Sequence, residues 1–401
     1  MIVVGSDDFN YLRSNNSLPG RFNELWLIKN EWDRIVRIFE GEEVAPYSLI
    51  IHPSAVCNLN CEWCIGANLG SNSTNGKLVC SSKNERRKLA SIAEEIASYS
   101  VEANCSSRIV EVTFSGITGE PLMSHYDVCA ASEILDNTGI RVGLFTNGLL
   151  LNPSLPHLYR HFSYMLISFD AGVSSTYSSL KGARDDAYYR LLTTCTELSN
   201  YYKINGGPEI NAGYVVNRKN CSEIFDAAEA LKSAGVRYLR LKTDIASKMR
   251  LTDSDMNVAN DQVSAVRREL CDDNFSVVEI HRLEMSNYSE EKHRKHNVCF
   301  MSFLQACVGS DNSLYPCNYH PRPNGSYYGD LSNASFAEVI QSDKTKAIRK
   351  DLPHICPEVC DPFKNRANRL LQDLYEVYLA DGRPGLQTTR DRLLAKYDFV
   401  N

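Results

Sequence analysis

Fourteen cysteines stand in this chain of 401 residues, and seven of them fall into two groups whose spacing suits metal chemistry. Cys57, Cys61 and Cys64 read CNLNCEWC, a C-x3-C-x2-C spacing. Three thiolates this close on one loop reach a single metal centre. Zinc asks for a fourth ligand from elsewhere, whereas a [4Fe–4S] cluster on three cysteines keeps one iron open for chemistry. A structural zinc site or incidental thiols is the alternative at this point. The second group is spread out. Cys299 and Cys317 bracket a hairpin whose turn is Asp311-Asn312, and Cys356 and Cys360 form a C-x3-C pair. Asn tolerates the left-handed conformation such a turn needs. Four thiolates from two segments complete a closed metal site, and a zinc ribbon is the alternative. Cys307 falls on the hairpin strand as a core residue. Cys80, Cys105, Cys129, Cys195, Cys221 and Cys271 have no partner in the pattern and read as buried inert thiols.

The elements that must position these thiols are legible as an alternation. SLIIHPS just before the first group reads as a strand, and residues 84–100 as an amphipathic helix. Strands follow at IVEVTFSG, RVGLFTNG, YMLISFDAG, EINAGYVVN and VRYLRLKT, with helices at 126–138, 186–203 and 221–235 between them. About six β-then-α units over 48–280 predict a parallel sheet, open or closed into a barrel. Three strands carry a polar face. Glu111, Thr113 and Ser115 share one, Asn211, Gly213 and Asn217 another, and Tyr238, Arg240 and Lys242 a third. A parallel strand packed on both sides is normally apolar throughout. These faces therefore predict a wet cavity inside the sheet. A helix is expected at 24–39, a charged connector after 281, and helices at 366–380 and from 387.

Composition narrows the partners. The chain carries 43 basic and 49 acidic residues, a net charge of −6, which argues against general nucleic-acid binding. No run approaches the roughly 18 apolar residues of a membrane span. The start, MIVVGSDDFN, lacks a basic n-region and an apolar core, so a cytoplasmic protein is expected.

With Trp63 before its third cysteine, the first group resembles the radical S-adenosylmethionine (SAM) superfamily. Other segments follow that family's order. Gly119-Glu120-Pro121 is similar to its GGEP segment, with Thr118 in place of the first glycine. Thr146-Asn147-Gly148 is similar to its TNG turn. Ser168 and Asp170 end the fourth strand, and Asn217 ends the fifth. The resemblance covers about 48–245 and implies an α/β fold, a partial (β/α)6 TIM-type barrel. It implies a SAM-binding [4Fe–4S] cluster on Cys57, Cys61 and Cys64. It also implies SAM contacts from Trp63, Gly119, Glu120, Asn147, Ser168, Asp170 and Asn217. The second group, followed by Gly329-Asp330-Leu331 and SFAEVI, resembles the Twitch domain, the short relative of the SPASM domain. That implies one auxiliary [4Fe–4S] cluster on Cys299, Cys317, Cys356 and Cys360.

The expected organisation is an N-terminal helical extension at 1–47, the barrel at 48–280, a cysteine-rich domain at 281–365 and C-terminal helices at 366–401. Arg240 and Lys242 are candidates for an anionic group, Asp361 for a proton acceptor, and His320, with Tyr319 and Arg322, for substrate contact. His52 is expected as a packed core histidine. The implied activity is hydrogen abstraction by a 5′-deoxyadenosyl radical from a small polar biosynthetic substrate, such as a sugar, aminocyclitol or nucleoside. Dehydrogenation leads and epimerisation follows. An electron donor such as flavodoxin or ferredoxin is implied. Maturation of a ribosomal peptide is the second expectation, and a non-catalytic zinc or cluster protein the third.

Overall fold

The computed structural model describes residues 24–66, 88–101, 107–117, 119–245, 247–280, 297–321, 326–356 and 360–396. Thr118, Cys80, Cys105, Arg322 and most of the connector after 281 lie outside the described residues.

One ten-stranded sheet organises the chain. Its strands are β1 (Ser48–Ile51), β2 (Glu111–Phe114), β3 (Arg141–Thr146), β4 (Tyr164–Ser168), β5 (Glu209–Val216), β6 (Tyr238–Thr243), β7 (Ser276–Glu279), β8 (Gln305–Val308), β9 (Ser313–Tyr315) and β10 (Gly329–Asp330). The order is β10-β9-β8-β1-β2-β3-β4-β5-β6-β7. Strands β8 and β1 through β7 run parallel, β9 pairs antiparallel with β8, and β10 pairs antiparallel with β9. The sheet stays open, as a partial barrel, and the alternation expected between 48 and 280 is present.

The helices are α1 (Leu25–Asn30), α2 (Trp32–Phe39), α3 (Leu89–Ser98), α4 (His125–Asp136), α5 (Ser174–Lys181), α6 (Ala187–Asn205), α7 (Ile224–Ser233), α8 (Asp253–Glu269), α9 (Met301–Leu304), α10 (Phe336–Ile340), α11 (Asp343–Ile355) and α12 (Pro362–Lys396). The helix expected at 24–39 is two, because Glu31 leaves helical geometry between them. No α-helix joins β3 to β4. That stretch holds Pro153 and Pro156, and Pro156 opens a short 3-10 turn instead. The two expected C-terminal helices meet at Gly382, whose φ of 65° breaks α12 two residues before Pro384.

Two cores hold these layers. The larger packs the apolar sides of the strands, such as Val112, Leu144, Ile167 and Leu239, under α3 to α8. The smaller joins α1 and α2 to α12 through Leu25, Ile28, Ile35, Leu370 and Leu374, with Leu304 from α9 and Phe300 just before it. A buried ion pair between Glu24 and Arg366 ties the same two ends of the chain.

The joining of β8 to β1 has the largest consequence for function. Ser48 to Ile51 pair in register with Gln305 to Val308. The hairpin of the second cysteine group is therefore the next strand of the barrel sheet, and its rigid position is set by the strand that leads into the first group. Asn312 makes the hairpin turn at a φ of 63°, as its residue type allows.

Candidate active site

The first cysteine loop is pinned from three sides. Asn60 N–H donates to the Lys181 carbonyl at 3.1 Å and Glu62 N–H to the Leu180 carbonyl at 3.0 Å, so the loop satisfies carbonyls at the end of α5. Gly182 closes that helix at a φ of 59° and lies against Asn60. From another side, Asn147 donates to the Asn58 side chain at 2.7 Å and points toward Cys57 Sγ at 3.9 Å. From the third, Cys64 Sγ faces the Ile117 carbonyl at 3.4 Å. Gly119 is required by contact: a Cβ there would meet the Ser54 carbonyl oxygen at 2.0 Å.

Glu120 is the hub beside the loop. Its backbone N–H donates to Val56 at 2.9 Å. Its carboxylate accepts from Leu122 N–H at 3.1 Å, from Asn147 N–H at 2.8 Å and from the Thr146 hydroxyl. Burial raises its pKa above the ordinary carboxylate value, and these three bonds oppose that by favouring the charged form.

The fourth strand ends in a buried charge pair. Asp170 sits at a φ of 62° and accepts from Val215 N–H at 2.6 Å and the Ser168 hydroxyl at 2.6 Å. Lys181 Nζ lies 2.7 Å from its carboxylate, 3.0 Å from Ser168 Oγ and 5.7 Å from the Trp63 ring. Burial is the largest influence and would lower the lysine pKa, but the charge and hydrogen bond of Asp170, with Tyr177 and Cys61, together outweigh it and the value rises. Lys181 was not singled out from the sequence. Its lone signal there was a lysine within a helix, which is ordinary surface chemistry.

These groups line one cavity of about 400 Å³, with Cys57, Cys61, Trp63 and Cys64 on one side. Ser168, Gly213, Arg240 and Lys242 line it further along. Asn217 does not: it is wholly buried and shapes the turn after β5 by accepting from Lys219 N–H. Below the cavity, Tyr164 donates to Glu111 at 2.7 Å and meets Thr113 at 3.2 Å, so the polar face read from β2 does point into the barrel. Arg240 stacks over Phe145 at 5.5 Å, and Lys242 stands 3.7 Å from Asp361. Asp361 caps α12 by accepting from Phe363 and Lys364 N–H, and its charge acts on both Lys242 and Arg240 of the cavity wall.

The second group gathers between β8 and α12. The thiols of Cys299, Cys317 and Cys360 lie close enough to feel one another's charge. Cys356 Sγ is 3.8 Å from His320 Nε2, and the buried His320 is off the cavity wall. Tyr319 packs with Ile245, Cys317 and Ile65, the residue after Cys64, so one apolar layer joins the two cysteine segments. Cys307 and His52 are buried together at 3.9 Å. Burial holds His52 neutral, with a pKa of about 4. Cys129, Cys195 and Cys221 are buried in the core and Cys271 is packed against it.

Both sets fit a metal cluster by their donor chemistry. Burial pushes the Cys61 thiol up to about 12 and Cys299 to about 11, so a free thiolate is disfavoured and a cationic centre is what would ionise it. Among the described residues, no three Cys, His or carboxylate groups meet tightly enough to share a single ion. A centre with several irons, each taking one sulfur, suits thiols set around a wall.

Residues 299–362 match the SPASM family, an iron–sulfur cluster-binding domain. The fold matches that of Streptococcus suis SuiB bound to precursor peptide SuiA, with a TM-score of 0.56 and 16% identity over 82% of this chain and 75% of that one. It also matches anSMEcpe with bound AdoMet, with a TM-score of 0.54 and 18% identity over 86% of this chain and 100% of that one. The same protein with AdoMet and the Cp18Cys peptide gives 0.53 and 17% over 87% and 99%. The chain thus shares the fold of these proteins, and a SPASM-type cluster-binding match lies at its C-terminal side. A search of curated protein sequences found none that matches. In that fold, the SPASM-type match spans all four cysteines expected to hold an auxiliary cluster. No described helix is long and apolar enough to cross a membrane.

Proposed function

We propose that the chain is a SAM-dependent radical enzyme that removes a hydrogen atom from a small polar biosynthetic substrate of sugar, aminocyclitol or nucleoside type. Dehydrogenation is the leading net reaction and epimerisation the second. One observation carries this reading: Cys57, Cys61 and Cys64 share a cavity with polar strand-end residues, and not with a closed apolar core. Cys57, Cys61 and Cys64 would hold a [4Fe–4S] cluster that, with SAM and one electron from a donor, would supply radical abstraction of hydrogen from an unactivated carbon.

The residues prepare the space. Glu120 fixes the ends of β2 and β3 against the cysteine loop. By the family resemblance, Gly119 and Glu120 would hold the amino group of SAM and Ser168 would approach its ribose. Trp63 is buried beneath the loop, and Ile65 packs against Tyr319. Asp361 Oδ2, beside Lys242, is the candidate proton acceptor for a net oxidation. The electron donor would be of flavodoxin or ferredoxin type, in the cytoplasm. Peptide modification is the second reading, favoured by the peptides held in SuiB and anSMEcpe.

The test is anaerobic reconstitution followed by SAM and dithionite, with 5′-deoxyadenosine measured. Production by the wild type and none by the Cys57→Ala/Cys61→Ala/Cys64→Ala variant is expected. Equal traces from both would overturn the enzyme reading. Polar small molecules and cysteine-containing peptides, added in turn, separate the two substrate classes by which of them raises the yield.

A further inference from the structure

Lys364 stands where its own helix does not favour a cation. It lies in the first turn of α12, which opens at Pro362 and carries no acidic residue in that turn. This end of a helix is its positive pole, and a lysine there is unfavourable unless negative charge lies close. Asp361 caps the turn, but its carboxylate also faces Lys242 at 3.7 Å and acts on Arg240. The ammonium turns instead to the second cysteine group. Lys364 Nζ donates to Asn318 Oδ1, across 46 residues of chain, and Asn318 directly follows Cys317. Lys364 itself comes one helical turn after Cys360. It is thus tethered between two of the four expected ligands.

The charge reaches the sulfurs. Burial is the largest influence on Cys299, Cys307 and Cys360 and raises all three thiols, and the charge of Cys317 raises them further. Asp311 adds to this at Cys307 and Asp361 at Cys360. Lys364 is the cation that opposes these effects at all three. His52, beside Cys307, is held neutral and adds no charge. Tyr319 N–H donates to Cys317 Sγ at 3.5 Å, a second positive influence on the group. A cluster bound by four thiolates is negative before it takes an electron and more negative after. A positive charge fixed beside it, half out of water, stabilises the reduced form more than the oxidised one.

We propose that Lys364, held by Asn318, raises the reduction potential of the auxiliary cluster on Cys299, Cys317, Cys356 and Cys360 and makes it a readier acceptor of one electron. This goes beyond the proposed function: it needs the auxiliary cluster, and holds whichever substrate the first site takes.

The test uses the reconstituted full chain carrying Cys57→Ala/Cys61→Ala/Cys64→Ala, in which the second group holds the remaining cluster of about four irons. Its midpoint potential is read by anaerobic redox titration with electron paramagnetic resonance. Adding Lys364→Met should make reduction at least about tenfold less favourable, a midpoint about 59 mV more negative, with the iron content kept. Lys364→Arg keeps the charge and should keep the midpoint of the parent. Lys346→Gln, an exposed lysine paired with Glu43, should leave it unchanged. If Lys364→Met loses its iron, Lys364→Gln, which retains a polar end for Asn318, is read in its place. Equal midpoints for the neutral variant and its parent overturn the proposal. So does a shift of the same size in Lys364→Arg. Loss of iron from both neutral variants overturns it too, since the lysine would then brace the site and not tune it. A parent without iron removes the auxiliary cluster and the proposal with it, while 5′-deoxyadenosine production by the wild type still stands or falls on the first site.

Discussion

The ammonium of Lys181 lies 2.7 Å from the carboxylate of Asp170, and both side chains are closed off from solvent. The pair fastens α5 to the end of β4, and the carbonyls at the end of α5 in turn carry the backbone of the first cysteine loop. Removing one member leaves the other charged and buried. Lys181→Met should therefore cost about 3–5 kcal/mol in chemical unfolding. Its iron content should also fall, because the support under Asn60 and Glu62 moves. A loss below about 1 kcal/mol would mean that Asp170 finds another cation or takes up a proton.

Gly119 and Gly213 line the same cavity and should answer an added methyl group differently. At Gly119 the new Cβ meets backbone, the Ser54 carbonyl, which cannot move without the cysteine loop. Gly119→Ala should lose about four of about eight irons. At Gly213 the Cβ has room, and Gly213→Ala should keep its full iron content. Iron and sulfide assays on the two variants check this.

Stability should depend on pH through His52. Its folded pKa of about 4 lies below the ordinary histidine value because of burial first and the Lys364 charge second. The unfolded chain then binds a proton that the folded one refuses. Stability is held above about pH 6.5 and falls as pH drops toward 4, by up to about 1.4 kcal/mol per unit. His52→Gln should show a shallower fall over the same window in urea titrations at pH 7, 6 and 5. Parallel slopes would refute it.

In the second group, Cys299, Cys317 and Cys360 feel one another's charge, while Cys356 lies beside His320. Cys317→Ala and Cys360→Ala should each lower the iron content by about four and leave the SAM-dependent change in the cluster spectrum intact. If either variant abolishes that change, the two sites depend on one another through the layer of Ile65 and Tyr319.

Local spacing made much of this protein legible. The C-x3-C-x2-C loop, the β-then-α alternation and the polar faces of β2 and β6 are short-range patterns, and period-2 alternation tells which side chains share a face. That is why Arg240 and Lys242 could be named together, and why Asn312 could be read as a turn. Other relationships join residues far apart in the chain. Lys181 meets Asp170 only because α5 folds back on β4. Lys242 meets Asp361 only because α12 returns to the barrel. Strand β8 lies beside β1 across more than 250 residues, and Ile65 meets Tyr319 as a result. Nothing in a local pattern encodes which edge of a sheet a distant strand will join, since any strand offers the same backbone hydrogen bonds. The sequence by itself determined which groups could do chemistry. The tertiary structure decided which of them face one cavity, because packing and sheet order set distances that spacing along the chain does not contain.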